Sequence, residues 1–177
     1  TNRAASKYHP CNDQSVSVRA PAACACPDTV SCMNQILIIA HEPLAQAFRA
    51  AALHVFPDCG DRVHALDVLA HETPEQTLER ARLLMQDMVC AGTLVMTDVL
   101  GATPCNVVTH LLERQEAIGC QAPLRGVTGL NVPMLLRAVC YAGLPLDEMQ
   151  ERALSGGAQG IMPIACDPDA CSQDEKE

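Results

Sequence analysis

Apolar residues are distributed along this chain in two textures. Ile36 to Ala40 (ILIIA) and Thr93 to Thr97 (TLVMT) are almost unbroken apolar runs, the pattern of a strand buried on both faces. Elsewhere the apolar positions recur every third or fourth residue. Leu44, Ala47, Phe48, Ala51 and Val55 predict a helix, with Pro43 suited to its first turn. Arg62 to Leu69 (RVHALDVL) reads as a second strand. Thr73-Pro74-Glu75-Gln76 is a capping box, and the helix it opens buries Leu78, Ala81, Leu84, Met85 and Met88. Thr103-Pro104 opens a helix with Val107, Val108, Leu111 and Leu112 on its inner face. Leu124 to Thr128 (LRGVT) is a fourth, weaker strand, and Pro133 starts a helix carrying Leu135, Leu136, Val139 and Cys140. A last helix is expected over about Asp147–Leu154, ended by Gly156-Gly157, with Gly160 to Ile164 (GIMPI) as a short final strand. Repeated strand–helix alternation predicts an α/β three-layer sandwich: a mainly parallel sheet with helices on both faces.

The pattern also sets boundaries. Residues 1–32 have no period and many turn formers, and are expected to be a disordered extension. Since the chain opens on Thr and Met33 directly precedes the first strand, this stretch is either an upstream extension or no part of the native protein. Residues 165–177 form a polar, acidic tail, also expected to be disordered. One folded unit over 33–164 remains.

Composition narrows the function classes. The 177 residues carry a net charge of −9 and include no Trp, two Phe and two Tyr. Neither a phosphate-backbone binder nor an aromatic stacking platform fits, so nucleic acid is not expected as a partner. No apolar run approaches the roughly 20 residues of a membrane span. There are eleven cysteines but no C-x-x-C pair. Cys24 and Cys26 lack a matching downstream pair, so neither a metal site nor a cofactor is expected. Cys90, Cys105, Cys120 and Cys140 lie in or beside apolar segments and read as small buried hydrophobes in a reducing cytosol.

In an open α/β sheet, ligands bind beyond the carboxyl ends of the strands. His41 follows the first strand. Asp98 follows the third, with Gly101-Ala102-Thr103-Pro104 just after it, and Gly129-Leu-Asn-Val-Pro follows the fourth. If strands one and three are neighbours, His41 and Asp98 share one crevice with the helix start at Thr103. A carboxylate that accepts one imidazole N–H fixes the tautomer and leaves the other nitrogen nucleophilic. A Thr hydroxyl and the free N–H groups of a helix start hold phosphate oxygens. The set therefore suits a phosphohistidine better than a hydrolase triad, for which no G-x-S-x-G elbow exists. Singly, each residue has an ordinary structural role; the combination carries the reading. His54, His64, His71 and His110 are assigned to surfaces or helix faces.

LIIAHEPLAQAF, LVMTDVLGATPCNVV and VTGLNVPMLLRAV, in this order, resemble the mannose-type IIA component of the bacterial phosphoenolpyruvate-dependent sugar phosphotransferase system. The likeness covers about 33–164, with Asn131-Val132-Pro133-Met134-Leu135 its most distinctive part. The resemblance implies His41 as the phosphorylated histidine and Asp98 as its paired aspartate. Gly101, Ala102 and Thr103 become the phosphate-binding loop, and Asn131 and Pro133 part of a site or partner loop. It also implies a parallel sheet of order 2-1-3-4 and a homodimer in which each subunit exchanges a fifth, antiparallel strand, here residues 160–164. The implied protein is a cytoplasmic phosphotransferase that takes phosphate from the phosphocarrier HPr and gives it to a IIB component. The sugar then enters through a membrane permease, so any association with the membrane is through partners. Three positions depart from the family: Glu42 stands where a Gly or small residue is usual, Ala102 at the second loop glycine and Leu100 where an aromatic is common.

Two further roles share this site: a regulatory sensor of phosphorylation state without sugar transport, and the phosphoryl-donor subunit of a dihydroxyacetone kinase. A flavodoxin-like small-ligand binder lacks support, because HEPLAQ rather than a Gly-rich fingerprint follows the first strand.

Overall fold

The computed structural model describes residues 33–86, 88, 91–114 and 122–164. The disordered ends expected at 1–32 and 165–177, and Cys90 and Cys120, lie outside these residues.

Four strands form one parallel sheet: β1 (Gln35–His41), β2 (Val63–Val68), β3 (Thr93–Thr97) and β4 (Leu124–Val127), in the order β2-β1-β3-β4. Among the described residues the helices are α1 (Leu44–Val55), α2 (Pro74–Gln86), α3 (Thr103–Glu113), α4 (Val132–Cys140) and α5 (Leu146–Gln159), with a 3-10 turn at Pro57–Cys59. The expected α/β architecture and strand order are both present. The apolar run in β1 divides its residues between two cores. Ile36, Ile38 and Ala40 pack into the cluster built with α1, α4 and α5. Leu37 and Ile39 pack into the cluster built with α2 and α3. Successive strand residues point to opposite faces, so helices on both faces require apolar residues at every position.

The helix starts follow their local chemistry. Thr73 caps α2 as expected: its backbone N–H donates to Gln76 Oε1 at 2.9 Å and its Oγ1 accepts from Gln76 N at 3.3 Å. Helix α1 begins after Pro43 with no cap from its own segment. Its first-turn N–H groups on Ala45 and Gln46 instead donate to Asp67 Oδ1 on β2, at 2.9 and 3.4 Å. This carboxylate locks the start of α1 to the neighbouring strand.

Four sequence expectations change. Helix α5 does not stop at Gly156-Gly157 but runs to Gln159. The glycines are there for close packing against α4. A Cβ on Gly156 would come 2.8 Å from Arg137 Cβ, one on Gly157 2.7 Å from Met134 Cε, and one on Gly160 would overlap the Pro133 ring. Tertiary contact has overridden the breaker signal. Second, Ile161–Ile164 form no strand and pair with no strand of the sheet among the described residues. Third, Cys140 is disulfide-bonded and sits half-exposed at the end of α4 rather than sealed in the core as a small hydrophobe. Fourth, His64 lies half-buried on β2 rather than on a surface, its Nε2 buried with no hydrogen-bond partner.

Candidate functional site

The site lies at the carboxyl ends of the two central strands. His41 is the last residue of β1, and Asp98 immediately follows β3. Because β1 and β3 are paired in parallel, both chain ends emerge at the same edge of the sheet. His41 Nδ1 lies 2.7 Å from Asp98 Oδ2, and the His41 backbone N–H donates to the same oxygen at 3.1 Å. Asp98 Oδ1 accepts from Val99 N at 2.9 Å and from Thr97 Oγ1 at 3.3 Å. A carboxylate at Asp98 can only accept, so Nδ1 carries the proton and Nε2 presents its lone pair. The ring is 47% exposed, and Nε2 has no partner among the described residues, so the nucleophilic edge faces outward.

Burial pushes the Asp98 carboxyl up. The hydrogen bonds from the His41 ring, the His41 N–H and the Val99 N–H, together with the charge on His41, outweigh that and hold it below its ordinary value. Asp98 is therefore ionised at neutral pH, as tautomer control requires.

Gly101 follows with φ +82°, a conformation that glycine adopts without strain, and turns the chain into α3. Ala102 caps α3 without a side-chain bond, and the first intrahelical donor is Asn106 N to Ala102 O. The Thr103 and Cys105 N–H groups have no intrahelical acceptor, and Pro104 has no N–H to satisfy. With the Thr103 hydroxyl they gather hydrogen-bond donors at a helix start five residues after Asp98, the chemistry that could hold an anion. His41 is in phase with Leu37 and Ile39, which face α2 and α3, so it lies on the side of the sheet where α3 begins.

Not every candidate joins this cluster by contact. Asn131 caps α4, its Oδ1 accepting from Met134 N at 3.0 Å, and its Nδ2 donates to Gly157 O at 3.4 Å. Pro133 occupies the first turn of α4 against Gly160. Both shape the α4 start on the same end of the sheet, and Leu130 N ties their loop to Thr97 O at 3.1 Å. Sequence reasoning missed Asp67, whose cap fixes α1 just after His41. Its signal was a lone carboxylate two residues before the end of a strand-like run. Glu42 is exposed, and its N–H extends the β1–β2 ladder to Val68 O at 3.2 Å. Among the described residues no three His, Cys, Asp or Glu cluster to hold a metal, and no helix is long and apolar enough to cross a membrane.

The model of a known family, PTS system fructose IIA component (EIIA-man), matches residues 35–153. The chain belongs to this family. It is thus a IIA-type component of the sugar phosphotransferase system. No curated protein sequence matches it. Among solved structures, the mannose/sorbose-specific IIA subunit of Enterococcus faecalis aligns with TM-score 0.65 at 20% identity, covering 76% of this chain and 96% of its own. The EIIA component of Streptococcus agalactiae aligns with TM-score 0.64 at 23% identity, covering 74% and 97%. The PTS IIA protein associated with a fucose utilization operon of Streptococcus pneumoniae gives 0.59 at 19%, covering 74% and 93%. At these identities the likenesses show the shared fold.

Proposed function

We propose that this IIA-family protein is a phosphohistidine carrier in which His41 accepts a phosphoryl group from HPr and passes it to a IIB component. The observation that carries this reading is the 2.7 Å contact from His41 Nδ1 to Asp98, which leaves Nε2 outward and unprotonated. In the forward step the Nε2 lone pair attacks phosphorus, a new N–P bond forms, and the N–P bond to the donor histidine breaks. The electron pair of that bond returns to the donor ring. Asp98 keeps the Nδ1 proton and offsets the positive charge that develops on the ring. The Thr103 hydroxyl and the N–H groups opening α3 hold the phosphoryl oxygens, with Gly101 and Ala102 shaping the loop. Asn131 and Pro133 fix the loop that flanks the site on the β4 side. Working in the cytoplasm, the carrier would supply a IIB component that phosphorylates sugar entering through a membrane permease.

The reading includes a homodimer. Ile161, Met162 and Ile164 are exposed by 77%, 72% and 98%, and in the dimer residues 160–164 of each copy would lie along the sheet edge of the other.

Incubation with phosphoenolpyruvate, enzyme I and HPr, followed by intact-mass analysis, tests the chemistry. One acid-labile phosphate is expected, absent from His41→Ala. No phosphate on the parent protein, or phosphate that survives His41→Ala, sinks the proposal.

A further inference from the structure

Helix α1 follows closely on His41, and its own segment gives it no side-chain cap; its first internal bond is Ala47 N to Pro43 O. The N–H groups before Ala47 need another acceptor. Asp67 on β2 supplies it, its Oδ1 accepting from Ala45 N at 2.9 Å and from Gln46 N at 3.4 Å. In the β1–β2 register Asp67 stands beside Ala40, and Val68 beside His41. Val68 O accepts the Glu42 N–H at 3.2 Å. Two successive residues of β2 therefore clamp both ends of the bridge 42–45. The main chain of Val68 holds it where it leaves His41, and the side chain of Asp67 holds it where it enters α1.

Asp67 is itself braced from α2: its carbonyl accepts from Arg80 Nη1 at 3.2 Å, and the same nitrogen donates to both Glu72 oxygens at 2.7 Å. The body of α1 has separate ties to β2, from Gln46 Nε2 to Ala65 O at 3.3 Å and from Arg49 Nε to Val63 O at 2.8 Å. Loss of the Asp67 carboxylate thus loosens the first turn and leaves the helix in place. His41 is the residue exposed to that loosening. Its ring is 47% exposed, and among the described residues it makes one hydrogen bond, to Asp98 across on the β3 side. A ring held at one atom stays seated only while its backbone is fixed, and reactive geometry tolerates errors of about 0.5 Å.

We infer that Asp67 is a positioning residue for the phosphoryl acceptor: by pinning the bridge 42–45 it keeps the His41 ring on Asp98, with Nδ1 protonated and Nε2 open. The inference rests on the phosphohistidine reading above. Asp67 acts through the backbone rather than on the ring, and the role needs an acceptor oxygen, which an asparagine side chain also has.

The test compares full-length parent, Asp67→Ala, Asp67→Asn and Thr73→Ala. The last removes a hydroxyl cap from α2 and serves as a control for general loosening. Nitrogen-15 NMR of the neutral His41 ring reads the tautomer, and transfer from phosphorylated HPr gives kcat and KM. Asp67→Ala should raise the Nε2–H tautomer at least about threefold and lower kcat at least about tenfold, with KM within about twofold of the parent. Asp67→Asn and Thr73→Ala should stay within about twofold of the parent in every readout. Asp67→Ala at parent values overturns the inference while the phosphohistidine reading stands. So does a slowed Asp67→Ala with the parent tautomer, an Asp67→Asn as impaired as Asp67→Ala, or a Thr73→Ala that moves both readouts as far. A parent that takes up no phosphate overturns both the reading and the inference.

Discussion

Asp98 uses both of its oxygens on the loop it serves: Oδ2 takes the ring and backbone N–H groups of His41, and Oδ1 takes the Val99 N–H. Asp98→Ala should slow phosphorylation of His41 by about 100-fold with an unchanged circular dichroism spectrum, measured as the rate of label transfer from HPr. The depressed folded-state value of this carboxyl also fixes a pH window. Its contribution is present above the ordinary carboxylate value of about 3.9 and is lost as pH falls through the lower folded value. The carboxyl carbon shift of Asp98 in an NMR titration should therefore have its midpoint below about 3.9. His64 works in the opposite chemical sense. Burial, followed by the charge on Arg49, pushes its imidazole down. The unfolded chain then binds the extra proton more readily, so stability should fall as pH drops below about 6.5 and level off under the lowered folded value. Urea titrations between about pH 7.5 and 5.5 should show the slope, and His64→Gln should flatten it. At this scale the sequence placed His41 and Asp98 at strand ends, where they meet, because residue type at a strand end is a local fact. It concealed Asp67 and the burial of His64, because both depend on which strand lies next door.

Among the elements, strands β1 and β3 were legible from apolar runs that allow no polar face, and α2 from its capping box. Thr73→Ala should cost about 1 kcal/mol by denaturant titration, since the bond from Gln76 N to its hydroxyl goes with it. Helix α5 was misjudged in length because a glycine pair stops a helix in isolation but joins two helices when a neighbour needs the room. Gly160→Ala should destabilise by about 1–3 kcal/mol, because the added carbon meets the rigid Pro133 ring. Gly60→Ala is the control: its nearest neighbour would be Leu53 Cδ2 at 3.5 Å, and a change under about 1 kcal/mol is expected.

At the scale of the whole molecule, alternation predicted a parallel sheet but not its order; that expectation came with the family resemblance, and the sheet has it. Quaternary structure was the least legible level, since no single-chain contact shows what covers Ile161, Met162 and Ile164. An Ile161→Asp, Ile164→Asp double variant should sediment as a monomer while keeping the parent's melting cooperativity. Charge at two exposed positions disturbs little within one copy but is costly in an apolar contact. The histidine and its aspartate ride on β1 and β3, the two interior strands, while β2 and β4 form the rims. Fraying or grafting at either rim therefore stops one ladder short of this pair, and a molecule laid out this way can change at its borders while its centre stays still.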